Sequence, residues 1–91
     1  MKNQEEIEDY FMLCSYARDA KGFPRNLLEQ EAIKIGIHNG TVYKNKALLL
    51  QAIQNKWRKH FQENIAYYEV NFKDTNLLRH LKTKIYIFSF A

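Results

Sequence analysis

Between Asn45 and Phe72 apolar residues return every three or four positions: Leu49 or Leu50, Ile53, Trp57, Phe61, Ile65, Tyr68 and Phe72. An α-helix turns once every 3.6 residues, so this spacing gathers them into one stripe and predicts a helix whose apolar side must be covered by the rest of the chain. Asn45 stands where an N-cap belongs, its side-chain oxygen able to accept from a free backbone N–H of the first turn. A continuous helix of about 27 residues would be about 40 Å long. The competing reading ends the helix near Glu63 and makes Ile65 to Phe72 a strand, on the alternation of Ala66, Tyr68, Val70 and Phe72. That alternation is only half matched by the intervening residues, and helix is favoured.

The rest of the 91-residue chain must supply that cover, and residues 1–91 together are one domain's worth of chain. From Gln4 to Ala20 the residues Ile7, Tyr10, Phe11, Cys14 and Ala17 form a second helical stripe, with Glu5, Glu6, Glu8 and Asp9 near the positive end of its dipole. Cys14 lies on the stripe and reads as a packed thiol rather than a nucleophile. Gly22 and Pro24 mark a break, with Gly22 placed as a C-cap. Asn26 is a candidate cap for a short helix reaching Ile35, which would bury Leu27 or Leu28 together with Ala32. Gly36 then suits a left-handed helix end. Ile37 to Lys44 read as an extended loop with a turn at Asn39-Gly40, pinned to the core by Ile37 and Val42. Asp74 or Thr75 opens a further short helix with Leu77, Leu78 and Leu81. Lys84 to Ala91 is β-branched and aromatic and reads as a short C-terminal β-strand. Such a strand would pack on the core, pair with 65–72, or pair with a second copy in a homodimer. The expected fold is therefore mostly α, a small helical domain.

Charge divides the chain into thirds. Residues 1–31 carry a net charge of −3 and residues 63–91 a net of +1, whereas 32–62 carry Lys34, Lys44, Lys46, Lys56, Arg58 and Lys59 with no carboxylate, a net of +6. Polyanions reward such a segment by releasing condensed counterions, and interspersed acids would oppose that release. The thirteen aromatic rings and 46% apolar content can build a core without disulfide or metal. One cysteine suits a reducing compartment, the acidic start lacks the apolar region of a secretory leader, and the seven-residue run Ile85 to Ala91 is short of the roughly twenty needed to span a bilayer. A cytoplasmic protein with no membrane association is expected.

Residues 27–54 read Leu27-Leu28-Glu29-Gln30-Glu31-Ala32-Ile33-Lys34-Ile35-Gly36-Ile37, a loop, then Asn45-Lys46-Ala47-Leu48-Leu49-Leu50-Gln51-Ala52-Ile53-Gln54. This resembles the helix–extended-loop–helix modules of the SAP, LEM and Rho-terminator N-terminal type. Gly36-Ile37 matches their first-helix ending, and Asn45-Lys46 with Leu49, Leu50, Ala52 and Ile53 matches the opening of their second helix. The resemblance covers about a third of the chain, extends to the motif at 27–57, and has a loop about one residue longer than the Rho-type version. It implies nucleic-acid contact from the loop and the start of the second helix, hence from Lys44, Asn45 and Lys46.

The expected function is DNA or RNA binding through Tyr43, Lys44, Asn45, Lys46, Lys56, Arg58 and Lys59. The cations would contact phosphates, and Tyr43 is the stacking candidate because Trp57 falls on the apolar stripe. Histidines 38, 60 and 80 lack metal-ligand spacing, Gly36 and Gly40 fit no phosphate loop, and no catalytic grouping stands out, so neither an enzyme nor a cofactor is expected. The alternative function is a protein-interaction or inhibitor protein, of the kind encoded by viruses or mobile elements. It would use the acidic first helix and apolar C-terminal segment on a nucleic-acid-handling complex.

Overall fold

The computed structural model describes residues 2–71 and 75–87. Its elements are α1 (Lys2–Ser15), α2 (Arg25–Lys34), a 3-10 turn (Gly40–Val42), α3 (Lys46–Glu63), α4 (Ile65–Asn71) and α5 (Thr75–Ile87), a mostly helical domain with no strand among the described residues. The stripe at 49–61 dictates the arrangement. Leu49, Leu50, Ile53, Trp57 and Phe61 are all buried, and α1, α2 and α5 pack around the α3 side that carries them.

Each neighbour contributes its own stripe. From α1 come Ile7, Tyr10 and Leu13, from α2 Leu28 and Ala32, from α5 Leu81 and Ile85, all fully buried. Rings meet at the centre: Tyr10 lies 5.4 Å from Phe61, and Phe61 stacks on Trp57 at 5.5 Å and meets Tyr68 edge-on at 5.2 Å. Two glutamines on α3 tie it to its partners. Gln54 Nε2 donates to the Leu13 carbonyl at 2.9 Å and Gln62 Nε2 to the Ile85 carbonyl at 2.8 Å.

Several boundaries depart from the sequence expectation. Helix α1 stops at Ser15, whose hydroxyl donates to the Met12 carbonyl. Ala20 and Gly22 then take positive φ (56° and 86°), so Gly22 shapes a turn rather than capping the helix. Ala17 is consequently exposed, and Leu13 takes its place in the core. Helix α2 begins one residue before Asn26, behind Pro24, whose fixed φ of −60° suits that place and which contributes no side-chain cap. Leu28 faces inward and Leu27 is exposed.

Residues 65–71 are helical, as favoured, but not continuous with α3. Asn64 (φ −115°, ψ 16°) breaks the helix, and its Nδ2 donates to the His60 carbonyl at 2.8 Å. Phe72 lies outside the described residues. The C-terminal strand is corrected over Lys84–Ile87, where α5 continues. Ile85 follows Leu81 by four residues, so burial on the helical stripe outweighs the β-propensity of Ile85 and Ile87. Residues 88–91 of the expected strand lie outside the described residues. No helix of the described residues is long and apolar enough to cross a membrane.

Candidate nucleic-acid interface

The link between α2 and α3 is built by three local devices. Gly36, at φ +88°, ends α2 in the left-handed conformation expected of it. Its N–H donates to the Ile33 carbonyl and the Ile37 N–H to the Ala32 carbonyl, at 3.0 and 2.8 Å, the paired bonds of a Schellman ending. Ile37 is thereby turned into the core. The 3-10 turn then brings Gly40 against Leu49 and the aliphatic parts of Glu29 and Ala32, which leaves Val42 64% exposed rather than anchoring the loop. Last, Asn45 takes extended backbone angles and its Oδ1 accepts from the Leu48 N–H at 2.9 Å, capping α3.

One long cation holds the loop itself down and a second ties the start of α3 to the link between α1 and α2. Arg25 donates to the carbonyls of Gly40 and Tyr43 while its Nε donates to Glu29 at 2.8 Å. Lys46 donates to the Phe23 carbonyl at 3.0 Å. A carbonyl inside a folded chain needs a donor, and these side chains supply one where the loop has no helix or sheet partner. Arg25 lies in the acidic third of the chain, away from the basic segment. Its only local signal was Glu29 one helical turn ahead.

The seven residues expected to form the site fall into different environments. Tyr43 is half-buried against the core, and Lys46 is half-buried with its amine on Phe23. Asn45 is exposed, with its oxygen engaged in the cap. Lys44, Lys56 and Lys59 are exposed. Lys59 lies 3.9 Å from Glu63 with its side chain 77% accessible, a distance and exposure at which an ion pair contributes little. Arg58 is half-buried on a flank of α3, donating to Asn55 at 2.7 Å and lying beside Tyr10 and Cys14. Lys34, a sixth cation of the acid-free segment, is paired with Glu31 at 2.8 Å and Asp9 at 3.5 Å. Trp57 is 4% exposed and belongs to the core, as its place on the stripe indicates.

Of the exposed cations of the acid-free segment, Lys34 is paired with acids, and Lys44, Lys56 and Lys59 lie along the outer side of α3 and just before its start. Lys56 and Lys59, with His60, Ile35 and Glu63, line a cleft of about 390 Å³ between the end of α2 and α3. The position of Leu48, Gln51, Asn55 and Lys59 at steps of three and four places them along one side of α3, opposite Leu49, Ile53, Trp57 and Phe61. All four are exposed. Gln51 and Asn55 had no charge to draw attention to them; the available signal was their spacing between the lysines, away from the apolar stripe.

The ionisable groups that burial perturbs lie on the other side of α3. Tyr10 is pushed up to about 12, chiefly because burial disfavours the phenolate and also through Cys14, against an opposing pull from Arg58. Burial likewise raises the Cys14 thiol above its ordinary value. Tyr68 is held high by burial and by donating to Glu6 Oε2 at 2.6 Å. His60 Nε2 is 3.0 Å from the same hydroxyl. Since the hydroxyl proton serves Glu6, it is His60 Nε2 that donates to the Tyr68 oxygen. This network joins α1, α3 and α4.

Among the described residues no three His, Cys, Asp or Glu side chains converge in a way that could hold a metal ion. No family model, curated protein or solved structure matches the chain.

Proposed function

We propose that the protein binds nucleic acid through the outer side of α3 and the loop that precedes it, without catalysing a reaction. The observation that carries this reading is the exposure of Lys44, Lys56 and Lys59 along a surface whose sequence, from Ala32 to Gln62, contains no carboxylate. Three accessible ammonium groups, with Glu63 set 3.9 Å from Lys59 at the end of the surface, can each replace a condensed counterion on a phosphate backbone. Lys46 and Asn45 support the surface by fixing the loop and the start of α3, with Lys46 close enough to the loop to add to its potential. Arg58 flanks the same helix, and Tyr43 positions the loop backbone through its carbonyl. Within 27–57, Gly36 ends α2 and Asn45 caps α3, which supports reading this segment as a contact module, but the link expected to be extended folds into a 3-10 turn at Gly40–Val42. The binding surface reaches beyond that module to Lys59.

The test is a titration of the protein against single- and double-stranded DNA and RNA at two salt concentrations. Binding that weakens steeply as salt rises supports the reading. Absence of binding to all four at the lower salt rejects it.

A second reading, a protein-interaction role, draws on a different surface. Tyr67 and Val70 on α4 are 53% and 82% exposed, one helical step apart, and Tyr86 on α5 is 45% exposed. Large apolar groups exposed together mark candidate contact surfaces. Under this reading, a second copy or a component of a nucleic-acid-handling complex covers them. Loss of partner capture or of self-association in Val70→Asp, with nucleic-acid affinity absent in both forms, would favour it over the first.

A further inference from the structure

We infer that the ligand of the α3 surface is B-form duplex DNA, with α3 lying in the major groove and Gln51 and Asn55 reading base edges; this rests on the nucleic-acid reading above. The helix has 18 residues and is about 27 Å long. Its outer strip carries Leu48, Gln51, Asn55 and Lys59, all exposed, and its first acid is Glu63 at the far end. Two other polar amides of the same helix, Gln54 and Gln62, are spent on backbone carbonyls of α1 and α5. Gln51 and Asn55 have no such tie to another element. Asn55 accepts from Arg58 through one lone pair of its oxygen, within the helix, and the residue is exposed.

The side chains match what a major groove presents. Gln and Asn are the two residues whose amide can pair with adenine through both N6 and N7, and an exposed Leu can meet a thymine methyl. Gln51 and Asn55 are one helical turn apart, about 6 Å, so both fit within the roughly 12 Å width of the groove when the helix crosses it. Cations bracket them. From the start of α3 to Lys56 is about 15 Å by helical rise, somewhat more than the roughly 12 Å width of the major groove. Lys44 at one end and Lys56 and Lys59 at the other are thus placed to reach opposite backbones.

The same surface fits the other nucleic acids poorly. The minor groove of B-DNA, about 6 Å wide, excludes a helix about 10–12 Å across. The major groove of duplex RNA is too deep and narrow for side chains to read. Single strands are held by stacking on exposed aromatic rings, whereas the outer strip carries no ring and Tyr43 of the preceding loop is half-buried against the core.

The test uses the full chain and three probes of equal length and random sequence: duplex DNA, duplex RNA and single-stranded DNA. Wild type is expected to prefer duplex DNA and, in rounds of selection from a random duplex DNA pool, to enrich a motif containing adenine. Gln51→Ala with Asn55→Ala, which places better helix formers at exposed sites, is expected to retain binding to the unselected pool. It should lose the preference for the enriched motif, by roughly 5- to 150-fold for each bidentate contact removed. Gln51→Lys with Asn55→Lys should bind the unselected pool more tightly and enrich no motif. Equal or tighter binding to single-stranded DNA or duplex RNA would overturn the groove assignment while leaving the nucleic-acid reading standing. So would a motif preference unchanged in the alanine variant, or no motif enriched by wild type. Failure to bind any probe would instead reject the underlying reading.

Discussion

Gly36 has φ +88° and open space where a Cβ would be, so what restricts that position to glycine is the backbone conformation and not crowding. Gly36→Ala should cost about 1 kcal/mol in denaturant unfolding, the approximate penalty for an L side chain in the left-handed region. Asn45→Ala leaves the Leu48 N–H without its acceptor and should cost about 1 kcal/mol, whereas Asn45→Asp or Asn45→Ser should restore most of it. Tyr10 gives a pH signature. Its folded pKa is raised to about 12 from an ordinary value of 10.0, so between these values the unfolded chain loses a proton that the folded chain keeps. Stability from this group is full below about pH 10 and declines as pH rises through about 12. Tyr68, raised in the same direction, adds to the decline. Unfolding free energy measured across that range should fall in wild type and fall less steeply in Tyr10→Phe; parallel curves for the two proteins would contradict the assignment.

The elements themselves were largely legible, because helices that pack on a common core must show their stripe in sequence. Leu49 through Phe61 and the Asn45 cap were readable from spacing and capping chemistry alone. What escaped was decided by tertiary packing. The β-branched end of the chain looked like strand until Ile85 found its place one turn beyond Leu81, fully buried. The α3–α4 break depends on Asn64 bonding back to His60, which spacing does not reveal because the stripe carries on to Tyr68. Val42 looked like a loop anchor, yet it is Arg25, which nothing in the sequence pattern singles out beyond Glu29 one turn ahead, that holds the loop. Arg25→Ala removes its donors to Gly40 and Tyr43 and its pairing with Glu29, and should destabilise by roughly 1–3 kcal/mol. Hydrogen exchange should locate the effect. The N–H groups of Val42 and Tyr43, bonded within the 3-10 turn, should exchange faster in Arg25→Ala, while those of central α3 change no more than global stability requires.

Over the whole molecule, folding sorts a charge pattern that in sequence looks like a single basic block. Lys34 is drawn to Asp9 and Glu31, Lys46 to the Phe23 carbonyl between α1 and α2, and Arg58 to the flank beside Tyr10. His60 meets Glu6 through Tyr68, so the acidic α1 covers the inner edge of the basic segment and leaves the outer edge open. The surface that remains is narrower than the sequence suggested, with Lys44, Lys56 and Lys59 as its exposed cations and Gln51 and Asn55 between them. The most direct measurement of its role is the salt dependence of duplex DNA affinity, compared between wild type and Lys44→Ala/Lys56→Ala/Lys59→Ala. Each phosphate contact contributes about 0.9 to the slope of log affinity against log salt. The triple variant should therefore bind more weakly at low salt, with a slope shallower by about 2 to 3. A variant that keeps the wild-type affinity and slope would show that nucleic acid does not use this face of the protein.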